Sequence, residues 1–307
     1  MYSVGRRTKR WPLCLFFNFL DVVAINSAVI YKAVNQDEVF PLPFEGIRFI
    51  VNKNLSSHFQ VSHSLHMGPA VSGYKFMATY VGTKQVGPNE SYPVLISDID
   101  PDGNLNANVI HMLRPGLRSK FVTQILQGQW VASQITGEYH GSDFTAALAL
   151  INPAAPSGML LVAHYLQSVG PRLDLGGELA CQPGGQTAIV SLAARYSGES
   201  YTVSGTLNSV SSHLCYYRSS GKNLQEHSPV LQLGAEVETN WMTNESVCSL
   251  GYQLEVPLTN TTFRGMLTSN WTVSAVMEKK LLPLPFTFAL CASLNHLKNQ
   301  CRLGCAF

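Results

Sequence analysis

The chain is predicted to be an all-β protein, a transmembrane β-barrel, on three observations. Short runs alternate apolar and polar residues along most of its length, charged residues make up only 13% of 307 positions, and no window after residue 40 offers 18 consecutive apolar residues. A strand sends successive side chains to opposite faces, so runs of period two describe sheets with one greasy side and one wet side. The charge deficit, about half of the roughly 25% usual in soluble domains, removes the Lys- and Glu-rich outer face that a soluble sandwich carries. Without a helical span over that range, alternating segments read as membrane strands, and closing them into a barrel removes the edges that lipid cannot hydrate.

Taken in order, the first segment stands apart. Arg6, Arg7, Lys9 and Arg10 precede an apolar stretch, Trp11 to Ile30, broken by Pro12, Asn18, Asp21 and Asn26, which reads as a signal peptide or a poor anchor. A central Asp costs about 2.5 to 3.5 kcal/mol on insertion scales, so a stable span is not expected. From Ser57 to Met67 the alternation is nearly unbroken: Phe59, Val61, Leu65 and Met67 oppose His58, Gln60, Ser62, Ser64 and His66, and only His63 breaks the rule. Further on, Val190, Leu192, Ala194 and Tyr196 oppose Ser191 and Arg195, and Tyr201, Val203 and Leu207 oppose Thr202, Ser204 and Thr206. Leu231, Leu233, Ala235 and Val237 oppose Gln232, Glu236 and Glu238; Trp271, Val273, Ala275 and Met277 oppose Thr272, Ser274 and Glu278; Phe286, Phe288, Leu290 and Leu294 oppose Thr287 and Ser293. Between runs lie turn residues: Pro69, Pro88-Asn89, Pro101-Asp102-Gly103, Asn152-Pro153, Pro183-Gly184-Gly185, Ser219-Ser220-Gly221 and Pro283.

Several function classes are excluded or unsupported. A net charge of +2 with both signs dispersed argues against nucleic-acid binding. Seven cysteines, odd in number and free of CxxC pairs, signal neither a disulfide framework nor zinc; Cys248 and Cys291 sit inside strand patterns as small buried thiols. Asp98 to Asn104 opens like a calcium loop, but its twelfth position is Val109 where a bidentate Glu is required, so an acidic turn between strands is expected. No nucleophile elbow, zinc helix or phosphate loop is present, so no catalysis, metal or cofactor is expected, and His58 and His66 are read as hydrated wall residues. Sequons at Asn54, Asn89, Asn244, Asn260 and Asn270 leave a secreted β-sandwich glycoprotein as an alternative, although a chain rich in Asn, Ser and Thr makes such triplets by chance.

Phe44-Glu45-Gly46, Val51-Asn52-Lys53 and Leu55 to Val61 resemble the first strands of the pore-forming subunit of the mitochondrial outer-membrane preprotein translocase. So do Tyr80-Val81-Gly82-Thr83-Lys84-Gln85, Gly116 to Lys120, Gly141 to Ala146, Leu161 to Ser168, Leu175 to Leu179, Ser269-Asn270-Trp271 and Glu278-Lys279-Lys280, in order along the chain. The resemblance implies a mitochondrial-porin-type barrel of about 19 strands over residues 39–307. Residues 1–38 are then an atypical N-terminal segment, unstructured or the remnant of a pore helix. The implied function is a protein-conducting channel for precursors bearing mitochondrial targeting sequences; a metabolite or ion porin of the same superfamily is the alternative. The implied partners are receptor and small tail-anchored translocase subunits, a second copy of the barrel, and membrane lipids.

Parity with each polar face selects Arg48, Lys75, Lys120, Glu138, Asp174, Glu178, Arg195, Glu236, Glu238, Arg264 and Glu278 as lumen-lining candidates. Their acids would attract basic targeting sequences through weak successive contacts, although for any one of them solubility alone is a sufficient reason. Lys279 and Lys280, at a strand end, are candidates to reach lipid headgroups. The resemblance also implies an assembly signal in the last strand, begun here by Arg302, Gly304 and Phe307, with the chain ending before its final hydrophobic position.

Overall fold

A computed structural model describes residues 39–41, 43–69, 72–87, 90–153, 158–183, 188–220, 229–283 and 286–307. The expectations for residues 1–38, Pro88-Asn89, Gly184-Gly185 and Gly221 lie outside them. In chain order the strands are β1 (Gly46–Asn54), β2 (Phe59–Met67), β3 (Gly73–Gly87), β4 (Glu90–Ile99), β5 (Leu105–Arg114), β6 (Leu117–Leu126) and β7 (Gln129–His140). There follow β8 (Phe144–Ile151), β9 (Leu160–Gly170), β10 (Leu173–Cys181), β11 (Ala188–Ser197), β12 (Tyr201–Asn208) and β13 (Ser211–Ser219). The last six are β14 (Val230–Asn240), β15 (Glu245–Val256), β16 (Thr261–Thr268), β17 (Thr272–Leu281), β18 (Phe286–Asn295) and β19 (Gln300–Ala306).

Each strand pairs antiparallel with its sequence neighbour, and β1 pairs with β19 in parallel through Gly46↔Gly304, Ile47↔Cys305 and Arg48↔Ala306. An odd strand number forces that single parallel junction. The result is one sheet of 19 strands closed on itself, which removes the two-sheet sandwich from consideration.

Local chemistry sets where strands stop. Gln127 and Gly128 both take positive φ (51° and 76°), the conformation a two-residue hairpin requires, and they join β6 to β7. The acidic run after β4 closes the β4/β5 hairpin: the Asp100 carboxylate accepts from the Asn104 side chain (2.8 Å) and from the backbone N–H groups of Asn104 (2.9 Å) and Asp102 (3.1 Å). Those bonds, the Asn104 side chain first, hold the exposed Asp100 carboxyl below its usual range. Its oxygens serve the turn, as expected of an acidic connection. At Gly46 (φ 87°) a Cβ would sit 2.1 Å from the Met67 carbonyl oxygen, so only glycine admits the chain into β1 at this approach.

Two sequence expectations are corrected. Trp271 has φ 52° and lies in the β16/β17 turn, because a left-handed residue cannot continue an extended repeat; β17 begins at Thr272. Cys248 is exposed on the outer face of β15, while Cys291 is buried on the opposite face of β18.

The two faces differ sharply in exposure. Along β11, Val190 and Leu192 are 55% and 59% exposed, whereas Ile189 and Ser191 are each 4% exposed. Side chains on the concave side of a closed sheet converge and shield one another, so the crowded face is the inner one and the Leu- and Tyr-rich face is the outer one. His63, which breaks the alternation of β2, lies on the outer face; its Nδ1 is 2.6 Å from the Tyr74 hydroxyl and its ring packs on Tyr74 and Phe76. A polar ring facing hydrocarbon is thereby given a partner.

Candidate functional site

The inner face is the candidate site, and adjacent strands build it from charges that sequence parity places but does not pair. Arg118 of β6 is registered opposite Glu138 of β7, and its Nε donates to Glu138 Oε2 at 2.8 Å. Asp174 of β10 is registered opposite Arg195 of β11, whose Nε is 3.9 Å away, and it accepts from Ser168 Oγ at 2.8 Å. Glu178 faces His164 across β9/β10, with His164 Nδ1 at 3.1 Å from Oε2. His213 bonds Glu236, and Arg264 joins Glu278 (2.9 Å) to Gln253 (3.0 Å). Lys75 Nζ lies 3.9 Å from Asp98 Oδ2. Arg48 sets its guanidinium over the Phe44 ring at 5.1 Å. Lys120 and Glu238 take part in none of the ion pairs among the described residues.

Electrostatically, this wall is a mosaic of acids set against basic side chains. Five of its six candidate acids, Glu138, Asp174, Glu178, Glu236 and Glu278, have a basic partner on a neighbouring strand. Arg118, His164, His213 and Asp98 were missed by sequence reasoning, although one signal was available. In a tight hairpin the residue numbers of facing positions sum to a constant, so the Gln127-Gly128 turn places Glu138 within one position of Arg118, and the bulge at Gln124/Ile125 supplies the remaining shift. For Glu178 and His164 the connecting turn at Pro171-Arg172 gives the partner only to within the bulge at Leu173/Asp174.

Glu178 is the most buried of these charges, at 3% exposure. Neither of its oxygens nor the hydroxyl of Ser191, its neighbour on β11, makes an aligned hydrogen bond among the described residues. Beside it on the inner face lies an apolar cluster, Ala149, Leu160, Val162, Ala180 and Ile189, which alternation had not singled out. The inner wall therefore carries charge pairs beside an apolar cluster that is itself covered, each of its members being 5% exposed or less.

Between β14 and the β1/β19 junction, the segment before β1 lies against the inner wall. The Phe40 ring lies over the registered glycines Gly234 and Gly251, where added Cβ atoms would approach it to 3.0 and 2.8 Å. Phe44 lies over Gly304, and its N–H donates to Cys291 Sγ (3.4 Å). Glycines here provide the room for two aromatic rings to lie flat on the wall.

The remaining candidates are placed as follows. Lys279 shares the outer face with Phe288, whereas Lys280 is opposite Thr287 on the inner face, so only the first lies on the apolar side. Arg302 is on the inner face 3.8 Å from Glu45, beside Gly304 at the junction. Phe307 fastens the junction: its N–H donates to the Arg48 carbonyl (2.9 Å), its carbonyl accepts from Ile50 N–H (2.9 Å), and its ring packs on Phe288.

Comparison with known proteins adds the lineage. A family model described as eukaryotic porin matches residues 30–304. The mitochondrial import receptor subunit TOM40 homolog 2 of Drosophila melanogaster is 48% identical over 269 residues, covering 85% of this chain and 77% of that protein. The mitochondrial import receptor subunit TOM40 homolog of Homo sapiens is 47% identical over 271 residues (87% of this chain, 73% of the relative). The human mitochondrial import receptor subunit TOM40B is 42% identical over 271 residues, 87% of this chain and 86% of its own.

Proposed function

From the premise that this chain belongs to the eukaryotic porin family, a family of channels, we propose that it is the protein-conducting barrel through which precursor proteins cross the mitochondrial outer membrane. The observation that carries this reading is identity near 47% spread over nearly the whole barrel to proteins named as import receptor subunits, beyond the porin fold alone. It makes the metabolite-porin alternative the less favoured one. The chain resides in the outer membrane and crosses it with strands.

No covalent chemistry is required of such a conduit. It lowers the barrier by replacing hydrocarbon with a polar wall along the path of an extended chain. Arg48, Lys75, Lys120, Glu138, Asp174, Glu178, Arg195, Glu236, Glu238, Arg264 and Glu278 line that path in our reading. Because most of the acids are already paired, attraction for a basic targeting sequence falls mainly to Glu238 and to exchange of partners within the exposed pairs. Such exchange is cheap, since exposed pairs contribute about 1 kcal/mol or less. A passing arginine therefore finds weak successive sites without a trap. Receptor subunits, small tail-anchored subunits and a second barrel are the partners this role calls for, and Arg302, Gly304 and Phe307 the assembly signal.

Replacement of the resident import barrel in depleted mitochondria tests the role. Expression of this chain should restore uptake of a matrix-targeted precursor. Restored metabolite exchange without precursor uptake would assign it to the metabolite porins instead.

A further inference from the structure

Two hairpin turns at the same end of the barrel are built alike. In the β7/β8 turn Gly141 N–H donates to the Phe144 carbonyl (2.8 Å), and in the β11/β12 turn Gly198 N–H donates to the Tyr201 carbonyl (2.8 Å); each aromatic ring folds back over its glycine. Each turn anchors a row of three rings on the outer face. Tyr139, Phe144 and Tyr165 are 5.8 and 6.0 Å apart by ring centroid, and Tyr196, Tyr201 and Tyr216 are 6.1 and 6.3 Å apart. Rings at a strand end form an interfacial girdle, so this much is generic.

The second row differs in what accompanies it. Arg172, in the turn before β10, accepts the Ser197 N–H at its carbonyl (2.8 Å) next to Tyr196, and the row of rings runs from there through Tyr201 to Tyr216. Arg218 of β13 is registered opposite Tyr201 on one side and Leu233 on the other, so no carboxylate faces it across either ladder. Among the described residues the acid in contact is Glu199, whose Oε1 is 3.3 Å from Arg172 Nη2, and both side chains are largely exposed. By contrast the first row has Asp143 at its turn, bonded to Gln167.

We propose that Arg172, Arg218 and the hydroxyls of Tyr196, Tyr201 and Tyr216 form a binding site for the headgroup phosphate of an anionic glycerophospholipid. A guanidinium has five N–H donors, and the contact with Glu199 engages a single nitrogen of Arg172. Its planar fork matches phosphate oxygens, while the three rings supply an apolar floor against which the first acyl carbons lie. Phosphate at this depth competes with Glu199, an exposed partner that is easily displaced. The inference concerns the outer face only, so it stands or falls separately from precursor transport.

The test is lipid retention by the full-length folded barrel, measured by native mass spectrometry after reconstitution with equal phosphatidylglycerol and phosphatidylcholine. The unmodified chain should retain phosphatidylglycerol preferentially, and the double variant R172Q/R218Q should lose that retention by about tenfold, with phosphatidylcholine unchanged. Glu199→Gln should raise phosphatidylglycerol retention by about twofold, a gain that impaired folding cannot mimic. Equal retention of the two lipids by the unmodified chain, or undiminished retention in the double variant, would overturn the site. Displacement of phosphatidylglycerol by millimolar inorganic phosphate would reassign the cluster to a soluble anion and overturn the lipid assignment.

Discussion

Within single strands of this barrel, two chemistries lie back to back one residue apart. The outer positions of β11, Val190 and Leu192, are more than half exposed and carry nothing polar, whereas the inner positions Ser191 and Arg195 hold hydrogen-bonding and charged groups against neighbouring strands. The difference teaches that the two faces are specified by different physics. The outer face needs only apolarity and rings at its ends. The inner face holds most of its charges in pairs set by cross-strand register, so its energetics reside in pairs and cannot be read from single residues.

Breaking the most buried inner pair should have the largest effect on stability. His164→Leu leaves the Glu178 carboxyl without its imidazole partner at 2% side-chain exposure, and a loss of about 1 to 3 kcal/mol is expected. Arg195→Leu removes a partner 3.9 Å from Asp174 in a partly exposed pair, and about 1 kcal/mol or less should follow. Denaturant unfolding of both variants in the same detergent reads the contrast; equal losses would mean that burial does not rank the inner pairs.

Aromatic cover over glycine sharpens the comparison next, since both faces use it. The Phe40 ring lies on Gly251 inside, and the Tyr252 ring lies on Gly265 outside, where a Cβ would come within 2.8 and 2.3 Å of the respective rings. Gly251→Ala should cost about 1 to 3 kcal/mol, because the displaced ring belongs to a segment lying against the wall. Gly265→Ala should cost less, since Tyr252 is 46% exposed and can swing toward lipid. A reversed order, measured as thermal stability, would place the constraint on the outer face.

Charge reversal at Glu238, which takes part in none of the ion pairs among the described residues, should be nearly silent in stability and visible in conductance. Glu238→Lys is expected to shift ion selectivity toward anions without loss of folded barrel, whereas Glu236→Lys should also destabilise, because it sets a lysine beside His213. Reversal-potential and unfolding measurements on the two variants distinguish a free acid from a paired one. The smallest effect is at the β4/β5 turn. The Asp100 carboxyl is held below its ordinary range, so its contribution is present above the unfolded-state value and lost as pH falls through the lowered folded-state value. Asn104→Ala should reduce that acid-range dependence, the backbone N–H groups of residues 102 and 104 keeping the rest, read as stability against pH.

Much of the wall was legible in the sequence because parity is a local property. Residues such as Asp174, Glu178 and Arg264 fall on the inner face by alternation alone. What parity cannot supply is register, which depends on turn length and bulges, so Arg118 and His164 went unnoticed as the partners of Glu138 and Glu178. The segment at Val39 to Glu45 was illegible for another reason. Its contacts with Gly234, Gly251 and Gly304 lie some 200 residues or more away in the chain, and a glycine in a strand does not announce which ring lies on it. Trp271 misled because its side chain suits the alternation while its backbone turns away.

The central claim is that the sparsely charged, Leu-rich face meets hydrocarbon while the opposite face of the same strand meets water. Adjacent arginine substitutions at the middle of β11 test it most directly. Leu192 is 59% exposed on the outer face, and Ala193 is its inner-face neighbour, opposite Gly176 and Thr206. Leu192→Arg should cost about 2 to 4 kcal/mol, the range for arginine on a barrel's lipid face near the midplane, and should impair membrane insertion. Ala193→Arg should insert normally and change ion selectivity. Equal insertion of both, or failure of Ala193→Arg alone, would contradict the assignment of the faces and with it the polar conduit.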